Sequence, residues 1–335
     1  MTSTAGIPLS DPALAEFLTS QLALVEERLR HAVAQADVLA DSASRHLVDA
    51  GGKRLRPMLT LLVAHLGDAG RPEVIDAAVV VELTHLASLY HDDVMDSAPL
   101  RRGAPAAHEV WGNSVAILTG DLLFARAGAT AAGLGSEAVR MHAGAFERLC
   151  LGQLHETVGP QDGEDVVAHY LRVLADKTGS LIATAACFGA TFAGCEPDVV
   201  QIVSEFGERV GVAFQLADDV IDLSADGAET GKMPGTDLRE GVPTMPVLLL
   251  RARAARPDAC TLDRDLVALL DSDLSGDADL AEAVRRLRGH DVVAETLALA
   301  RAWAHDAVAE LDPLPAGPVK DALVSFAASL VDRAS

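Results

Sequence analysis

Aromatic and basic residues are both scarce in this sequence. Phe, Trp and Tyr make up 4% of its 335 residues, whereas half of the residues are hydrophobic. A core that is poor in aromatics and rich in Ala, Leu and Val favours closely packed helices over a β-sandwich. The chain has 27 Lys and Arg against 49 Asp and Glu, and the resulting net charge of −22 argues against nucleic acid as a partner.

Paired cysteines and long apolar segments are also missing. The four cysteines form no C-x-x-C pair, a pattern typical of a protein from a reducing cytosol. The first residues have neither the basic start nor the continuous apolar run of a signal peptide. The longest uncharged run, 178–195, contains Thr, Ser and Gly, which indicates a buried helix. We therefore expect a cytoplasmic protein with no integral membrane segment.

No run of alternating polar and apolar residues predicts a strand, whereas helical periodicity covers most of the chain. No linker divides it, so we predict a single all-α domain over 1–335. The polar, Gly- and Pro-rich segment 224–243 is typical of a functional lid. Helices are predicted over 11–35, 57–67, 73–96, 107–131, 136–156, 164–194, 198–223, 244–255, 263–271, 279–288, 291–311 and 317–333.

Two acidic clusters with the pattern D-D-x-x-D each end an apolar helix. The first reads HDDVMD at 91–96 and the second ADDVIDL at 217–223. One copy would be explained as a solvated helix end, but two copies, each followed by a basic loop, favour metal binding. Mg²⁺ prefers oxygen ligands and usually takes one or two carboxylates together with water and phosphate; no adjoining Cys or paired His suggests zinc. The carboxylates concerned are Asp92, Asp93, Asp96, Asp218, Asp219 and Asp222.

Basic and polar residues suited to phosphate occur in several short segments. GGKRLRP at 51–57 precedes a predicted helix, whose N-terminus would attract an anion. LRRG at 100–103 offers two arginines capable of bidentate contacts. Each segment alone could be a solvated loop, and a lone helical His is often a core residue. Together they predict a diphosphate site that opens onto an apolar cavity; the further candidates are His85, Lys177, Thr178, Gln215 and Lys232.

These motifs resemble those of the trans (all-E) polyprenyl diphosphate synthases. The matching segments occur in the family's order: GGKRLRP, LYHDDVMDSAPLRRG, DKTGSL, FQLADDVID and GKMPGTDLREGVPTMPVL. The resemblance implies an all-α isoprenoid-synthase-type bundle around a central cavity, a homodimer, and Mg²⁺ dependence. It also implies condensation of isopentenyl diphosphate with an allylic diphosphate.

The resemblance also implies individual roles. One departure is Val242, which follows Gly241 where the family often has lysine; no phosphate contact is assigned there. The first cluster would hold Mg²⁺ through Asp92 and Asp96 with support from Asp93, and the second through Asp218, helped by Asp219 and Asp222. The allylic diphosphate would contact Arg101, Lys177, Thr178, Gln215 and Lys232, and isopentenyl diphosphate would contact Lys53, Arg56, His85 and Arg102.

Two small residues precede the first acidic cluster. Ala87 and Ser88 lie five and four positions before Asp92, about 6–7.5 Å along a helix. In the resembled family a bulky aromatic residue there stops chain growth early, so small residues predict a longer product. Small residues could equally serve close helix packing. A deeper floor could be formed by Leu83, Val80 and Phe124.

The leading hypothesis is a long-chain polyprenyl diphosphate synthase that could supply quinone side chains. One alternative is a geranylgeranyl diphosphate synthase. Another is a regulatory or prenyl-binding subunit of a heteromeric synthase, although such subunits usually lose the acidic motifs. A class I terpene cyclase normally lacks GGKRLRP and the second D-D-x-x-D, and an HD-type phosphohydrolase would need further His ligands, so both are disfavoured.

Overall fold

The computed structural model describes residues 2–4, 7–224 and 234–334, and most of them are helical, as predicted. A π-helical turn, Ala175–Gly179, and a 3₁₀ turn, Asp332–Ala334, accompany the α-helices. The helices are α1 Pro12–Val33, α2 Val38–Asp49, α3 Leu55–Ala64, α4 Pro72–Met95, α5 Ala107–Trp111, α6 Asn113–Leu134, α7 Ser136–Val158, α8 Val166–Leu174, α9 Ser180–Phe192, α10 Pro197–Ser224, α11 Thr236–Glu240, α12 Met245–Ala254, α13 Thr261–Leu270, α14 Asp277–Arg288, α15 Asp291–Glu310 and α16 Pro318–Val331.

The structure corrects several sequence-based boundaries. The helix predicted over 107–131 is interrupted at Gly112, whose φ of 84° does not belong to a right-handed helix. The helix predicted over 164–194 contains the π-helical turn. Helix α2 was missed, although the Asp37 side chain accepts a hydrogen bond from the Ala40 N–H at its start. Helix α11 lies inside the predicted lid, of which 225–233 fall outside the described residues.

Two small antiparallel pairings also depart from the prediction of no strands. Strand β1 (Thr2–Thr4) pairs with β2 (Ile7–Leu9), and β3 (Leu100–Arg101) pairs with β4 (Ala104–Pro105). The second pairing forms a short hairpin immediately after α4, and it carries the predicted phosphate-binding arginines. A helical period cannot reveal such short strands.

The hydrophobic core is built around α4 and α10. Helix α4 packs along α6 and also contacts α3 and α9, while α10 packs along α9 and α15. Both α4 and α6 are long and apolar enough to span a membrane, but 67% of the apolar window of α4 is buried among other helices. The corresponding figure for α6 is 33%, so α6 keeps an apolar face outside the core. The single-domain assignment stays a prediction.

Candidate active site

A cavity of about 420 Å³ lies between α3, α4, α7, the π-helical turn and α10. It gathers most of the predicted site residues, although they come from distant parts of the chain. Among the others, Asp93 and Ala87 are buried beside it, Asp222 is described but does not line it, and Lys232 lies outside the described residues. The predicted residues that line it are Lys53, Arg56, His85, Ser88, Asp92, Asp96, Arg101, Arg102, Lys177, Thr178, Gln215 and Asp218.

The carboxylates of the first acidic cluster are partly removed from water. Burial raises the pKa of Asp92 to about 6; the Lys177 ammonium opposes this rise and the neighbouring Asp96 adds to it. Burial also raises the pKa of Asp96. Asp93 is fully buried. Asp93 Oδ1 accepts a hydrogen bond from the Arg101 Nε–H at 2.6 Å, whereas the buried Asp93 Oδ2 has no hydrogen-bond partner in the structure. The positive charge around Asp92 and Asp96 therefore does not offset the cost of burying them.

The donor set fits a hard divalent cation that also binds phosphate. The available groups are carboxylate oxygens, which Mg²⁺ and Ca²⁺ prefer. Within the described ranges, no group of three or more His, Cys, Asp or Glu side chains forms a ready-made metal site. The carboxylates that line the cavity, Asp92, Asp96 and Asp218, suit a cation that takes only one or two protein carboxylates and completes its coordination with substrate and water.

The second acidic cluster is arranged differently. Asp218 lines the cavity, and Arg333 Nη2 donates to its Oδ1 at 3.0 Å. Asp219 is buried and accepts hydrogen bonds from the Tyr170 hydroxyl at 2.9 and 3.0 Å and from the Met245 N–H at 3.1 Å. Burial raises its pKa well above the ordinary value. Asp219 thus connects α10 to α8 and α12, and the roles predicted for this cluster stay predictions.

The basic wall of the cavity is formed by the start of α3 and the β3–β4 hairpin. Burial lowers the pKa of Arg56 to about 10, and its buried Nε has no hydrogen-bond partner in the structure. Arg56 therefore remains charged at neutral pH and is available to an anion. Arg102 donates to the Leu47 carbonyl at 3.0 Å and to the Gly51 carbonyl. Burial, followed by the Arg56 charge, lowers the pKa of His85 well below its ordinary value, so this imidazole is neutral.

A buried ion pair behind this wall escaped the sequence analysis. Arg54, at a left-handed φ of 50°, donates to Glu82 Oε1 at 2.9 Å and also pairs with Glu26. Glu82 is 1% exposed and lies 4.0 Å from Arg102. The network fixes the start of α3 against α1 and α4. One sequence feature could have revealed this ion pair: Glu82 is a lone carboxylate in the apolar run AAVVVELTHLASLY, and a carboxylate is rarely buried without a partner.

The opposite wall is the π-helical turn, which presents Lys177 and Thr178 to the cavity. The Lys177 Nζ pairs with Glu156, and the Thr178 hydroxyl lies 3.3 Å from Gln215 Oε1. Arg148 supports the turn by donating to Asp176 Oδ1 at 2.8 Å. Single-turn π-helices often occur at functional sites, and this one brings two adjacent polar residues to one cavity.

Part of the cavity lining is apolar. Leu89, Leu149 and Phe214 line it together with Ser88, whose hydroxyl donates to the His85 carbonyl at 2.9 Å. Ala87 is fully buried; its carbonyl oxygen lies 3.1 Å from the position that a Cβ on Gly120 would occupy, which places it against α6.

The residues predicted for a deeper floor lie in the main core. Leu83 is fully buried there and Val80 is 1% exposed. The Phe124 ring stacks on that of Phe146 with 4.1 Å between ring centroids. The chain-length roles of all these residues stay predictions.

Comparison with known proteins agrees with this geometry. The polyprenyl synthetase family model matches residues 37–285. A nonaprenyl diphosphate synthase from Mycobacterium tuberculosis is 42% identical, covering 99% of this chain and 98% of that protein. The crystal structure of a polyprenyl synthase from Caulobacter crescentus complexed with calcium and isoprenyl diphosphate superposes with a TM-score of 0.87 at 32% identity, covering 100% of both chains. A geranylgeranyl pyrophosphate synthase from Corynebacterium glutamicum, also complexed with calcium and isoprenyl diphosphate, gives 0.85 at 40% identity, covering 98% and 99%. The chain therefore belongs to the polyprenyl synthetase family.

Proposed function

We propose that this protein is a Mg²⁺-dependent prenyltransferase that condenses isopentenyl diphosphate with an allylic diphosphate to give a long-chain all-E polyprenyl diphosphate. The observation that carries the proposal is one cavity whose lining combines carboxylates, cations and apolar side chains. A molecule with a diphosphate head and a hydrocarbon tail matches all three surfaces.

Different side chains would bind the two substrates. Arg101, Lys177 and Thr178 would hold the allylic diphosphate beside Asp92 and Asp96. Mg²⁺ bound by those carboxylates supplies positive charge that stabilises the departing diphosphate. The charges on Lys177 and Arg101, which also line the cavity, act in the same direction.

Isopentenyl diphosphate would lie against Lys53, Arg56 and Arg102. The neutral His85 can donate a hydrogen bond there without adding charge. Ionisation of the allylic C–O bond would release diphosphate with the bonding electron pair and leave an allylic cation. Attack of the isopentenyl double bond on that cation would form the new C–C bond, and the released diphosphate would accept the proton lost from the resulting cation. Leu89, Leu149 and Phe214 keep water away from the cation, which would otherwise be trapped as an alcohol.

The long-chain assignment is supported by the nonaprenyl diphosphate synthase at 42% identity and by the small Ser88 at the end of the cavity. Geranylgeranyl diphosphate synthase is the second candidate, favoured by the Corynebacterium structure at 40% identity. A role as a regulatory subunit is not favoured, because both acidic motifs are intact.

We also propose a cytoplasmic homodimer whose product could supply quinone side chains. The exposed apolar face of α6 and α7 supports the dimer, with Leu118 66% and Leu154 58% exposed. Such an apolar face suits a second copy of the same chain.

The test is a product assay with labelled isopentenyl diphosphate, Mg²⁺, and dimethylallyl, geranyl, farnesyl or geranylgeranyl primers. We expect products longer than geranylgeranyl diphosphate. Products that stop at geranylgeranyl diphosphate would favour the second candidate, and activity only after addition of a second protein would favour the subunit. No elongation under any of these conditions would overturn the proposal. Sedimentation equilibrium tests the dimer.

A further inference from the structure

One carboxylate lies among the cations of the cavity without belonging to either acidic cluster. Glu82 of α4 is 1% exposed, and it lines the cavity together with Arg54, Arg56 and Arg102. Its Oε1 accepts a hydrogen bond from Arg54 Nη1 at 2.9 Å and lies 4.0 Å from Arg102 Nη2. A carboxylate next to a site for anions weakens anion binding by its charge, so a compensating benefit must come from its contacts.

Both arginines that contact Glu82 have a backbone conformation that residues other than glycine rarely adopt. Among the residues that the structure describes, three non-glycine residues have a positive φ, and Arg54 at 50° and Arg102 at 55° are two of them. Such conformations are strained, and they persist only where the surroundings hold them. Two strained residues from separate segments, the start of α3 and the β3–β4 hairpin, therefore converge on one carboxylate oxygen.

The end of α2 supplies further acceptors to the same two guanidinium groups. Arg54 donates to the Val48 carbonyl at 3.1 Å. Arg102 donates to the Leu47 carbonyl at 3.0 Å, and both guanidinium groups donate to the Gly51 carbonyl. Because carbonyls at a helix C-terminus carry partial negative charge, these contacts favour charged guanidinium groups at this place.

The arginines around Glu82 repel one another. Burial lowers the pKa of Arg102, and Glu82 opposes this decrease. The charges of Arg54 and Arg101 lower the pKa of Arg102 further. Burial likewise lowers the pKa of Arg56 to about 10, a decrease that Glu82 opposes and Arg102 reinforces. Glu82 thus offsets the mutual repulsion of these cations before any diphosphate is bound.

We propose that Glu82 is a positioning residue for isopentenyl diphosphate. It orients Arg102 by direct contact, and through Arg54 it fixes the segment that carries Arg56. Glu26 of α1, which also pairs with Arg54, supports the same arrangement. This inference rests on the proposed prenyl transfer. Glu82 acts through the arginines rather than on the substrate, and the orientation that it provides outweighs its own repulsion of the diphosphate.

The test compares the steady-state kinetics of the wild-type protein and Glu82→Gln, with each substrate varied in turn at saturating Mg²⁺. Glu82→Gln keeps the side-chain shape but removes the charge that orients the arginines. We expect KM for isopentenyl diphosphate to rise by about tenfold, because charge-assisted hydrogen bonds are lost. KM for the allylic diphosphate should change by less than about twofold, since its binding groups lie elsewhere in the cavity. Charge alone predicts the opposite sign, because removing a carboxylate would tighten diphosphate binding.

Two further variants calibrate this result. Glu26→Gln weakens the hold on Arg54 without touching the cavity lining, and it should raise KM for isopentenyl diphosphate by a smaller factor than Glu82→Gln. The matched control is Glu310→Gln. Glu310 pairs with Arg209 at 2.9 Å and does not line the cavity, so both KM values should equal those of the wild type. Thermal unfolding identifies any variant that does not fold, and the partly exposed Glu26 keeps the test decisive if Glu82→Gln fails to fold.

The outcomes separate the two proposals. If the wild-type protein elongates no primer, the proposed function fails, and the role of Glu82 in it fails as well. If the wild type elongates primers but Glu82→Gln and Glu26→Gln keep its KM for isopentenyl diphosphate, or lower that KM, the positioning role is wrong. Equal rises in KM for both substrates would also overturn it, because they would show a general loss of structure.

Discussion

The two D-D-x-x-D clusters share one pattern, but their middle carboxylates have different partners. Asp93 and Asp219 are both buried. Asp93 keeps one oxygen without a hydrogen-bond partner, whereas both oxygens of Asp219 accept the Tyr170 hydroxyl and one also accepts the Met245 N–H. The repeat therefore sets the spacing of the carboxylates on a helix, and segments far away in sequence decide what each carboxylate does.

The outer carboxylates differ as well. Asp92 and Asp96 both line the cavity, near the charge of Lys177. In the second cluster Asp218 lines the cavity and is paired with Arg333, whereas Asp222 does not line it. The first cluster is thus the more open to a cation, and the second is partly neutralised by the protein itself.

The largest expected effect is a difference in kcat between variants at Asp92 and at Asp222. Asp92→Asn removes a charge from the cavity wall and should lower kcat by about 10²–10³-fold, the range found when one stabilising group is lost from a transition state. Asp222→Asn should lower kcat by less than about tenfold, because that side chain does not line the cavity. Steady-state kinetics at saturating Mg²⁺ would measure both, with circular dichroism to confirm folding. Equal losses would show that the two clusters are functionally equivalent.

A second effect concerns pH. Because burial raises the pKa of Asp92 from 3.8 to about 6, the folded state binds this proton more tightly than the unfolded state. The contribution to stability is therefore complete below pH 3.8 and is lost as the pH rises through about 6. In the absence of metal, Asp92→Asn should become more stable than the wild type across this interval, by at most about 3 kcal/mol and less where water screens the charge.

Urea unfolding at several pH values would measure this difference. Addition of Mg²⁺ with inorganic diphosphate should stabilise the wild type and have less effect on Asp92→Asn. A stability difference that does not change with pH would contradict the conclusion that nearby positive charge does not offset the burial of Asp92.

A third and smaller effect should appear at the middle position of the second cluster. Tyr170→Phe removes the hydroxyl that donates to Asp219 and leaves a buried carboxyl with fewer partners, at a cost of about 1–3 kcal/mol. The free energy of unfolding in urea should fall by this amount, while kcat changes less than in Asp92→Asn. A large loss of kcat without a loss of stability would instead place Asp219 in the chemistry.

The sequence predicted the features that depend on the spacing of residues along one helix. Three and four residues make one helical turn, so D-D-x-x-D predicted correctly that Asp92 and Asp96 share a face, and both line the cavity. The same rule predicts that Ala87 lies one turn or slightly more below the metal site; its carbonyl lies close to Gly120 of α6, and its chain-length role stays a prediction. The rule fixes distance along a helix, while the neighbouring helices decide which face is open.

Contacts between distant segments could not be predicted in this way. The pairing of Arg54 with Glu26 and Glu82 joins residues that are 28 positions apart in each case, and nothing in GGKRLRP distinguishes Arg54 from the two other cations. Arg333 lies 115 positions from Asp218. The approach of α7 to the π-helical turn is another such contact, because a Cβ on Gly152 would lie 2.9 Å from the Lys177 backbone nitrogen.

The smallest predicted effect is a change in Mg²⁺ affinity when Arg333, the partner of Asp218, is replaced. The side chains of Arg333 and Asp218 are 29% and 36% exposed, and an ion pair of this exposure contributes about 0.2–1 kcal/mol. Metal that binds Asp218 must displace Arg333, so Arg333→Gln should tighten the apparent Mg²⁺ affinity by up to about fivefold. Calorimetric titration of Mg²⁺ in the presence of inorganic diphosphate would measure this affinity, in an Asp92→Asn background that weakens the first cluster.

Arg45→Gln is the matched control, because Arg45 and Asp41 form a pair of similar exposure, 35% and 32%, away from the cavity. Weaker Mg²⁺ binding in Arg333→Gln would mean that Arg333 supports the loaded site, and the contrast between an open first cluster and a self-neutralised second cluster would then be wrong.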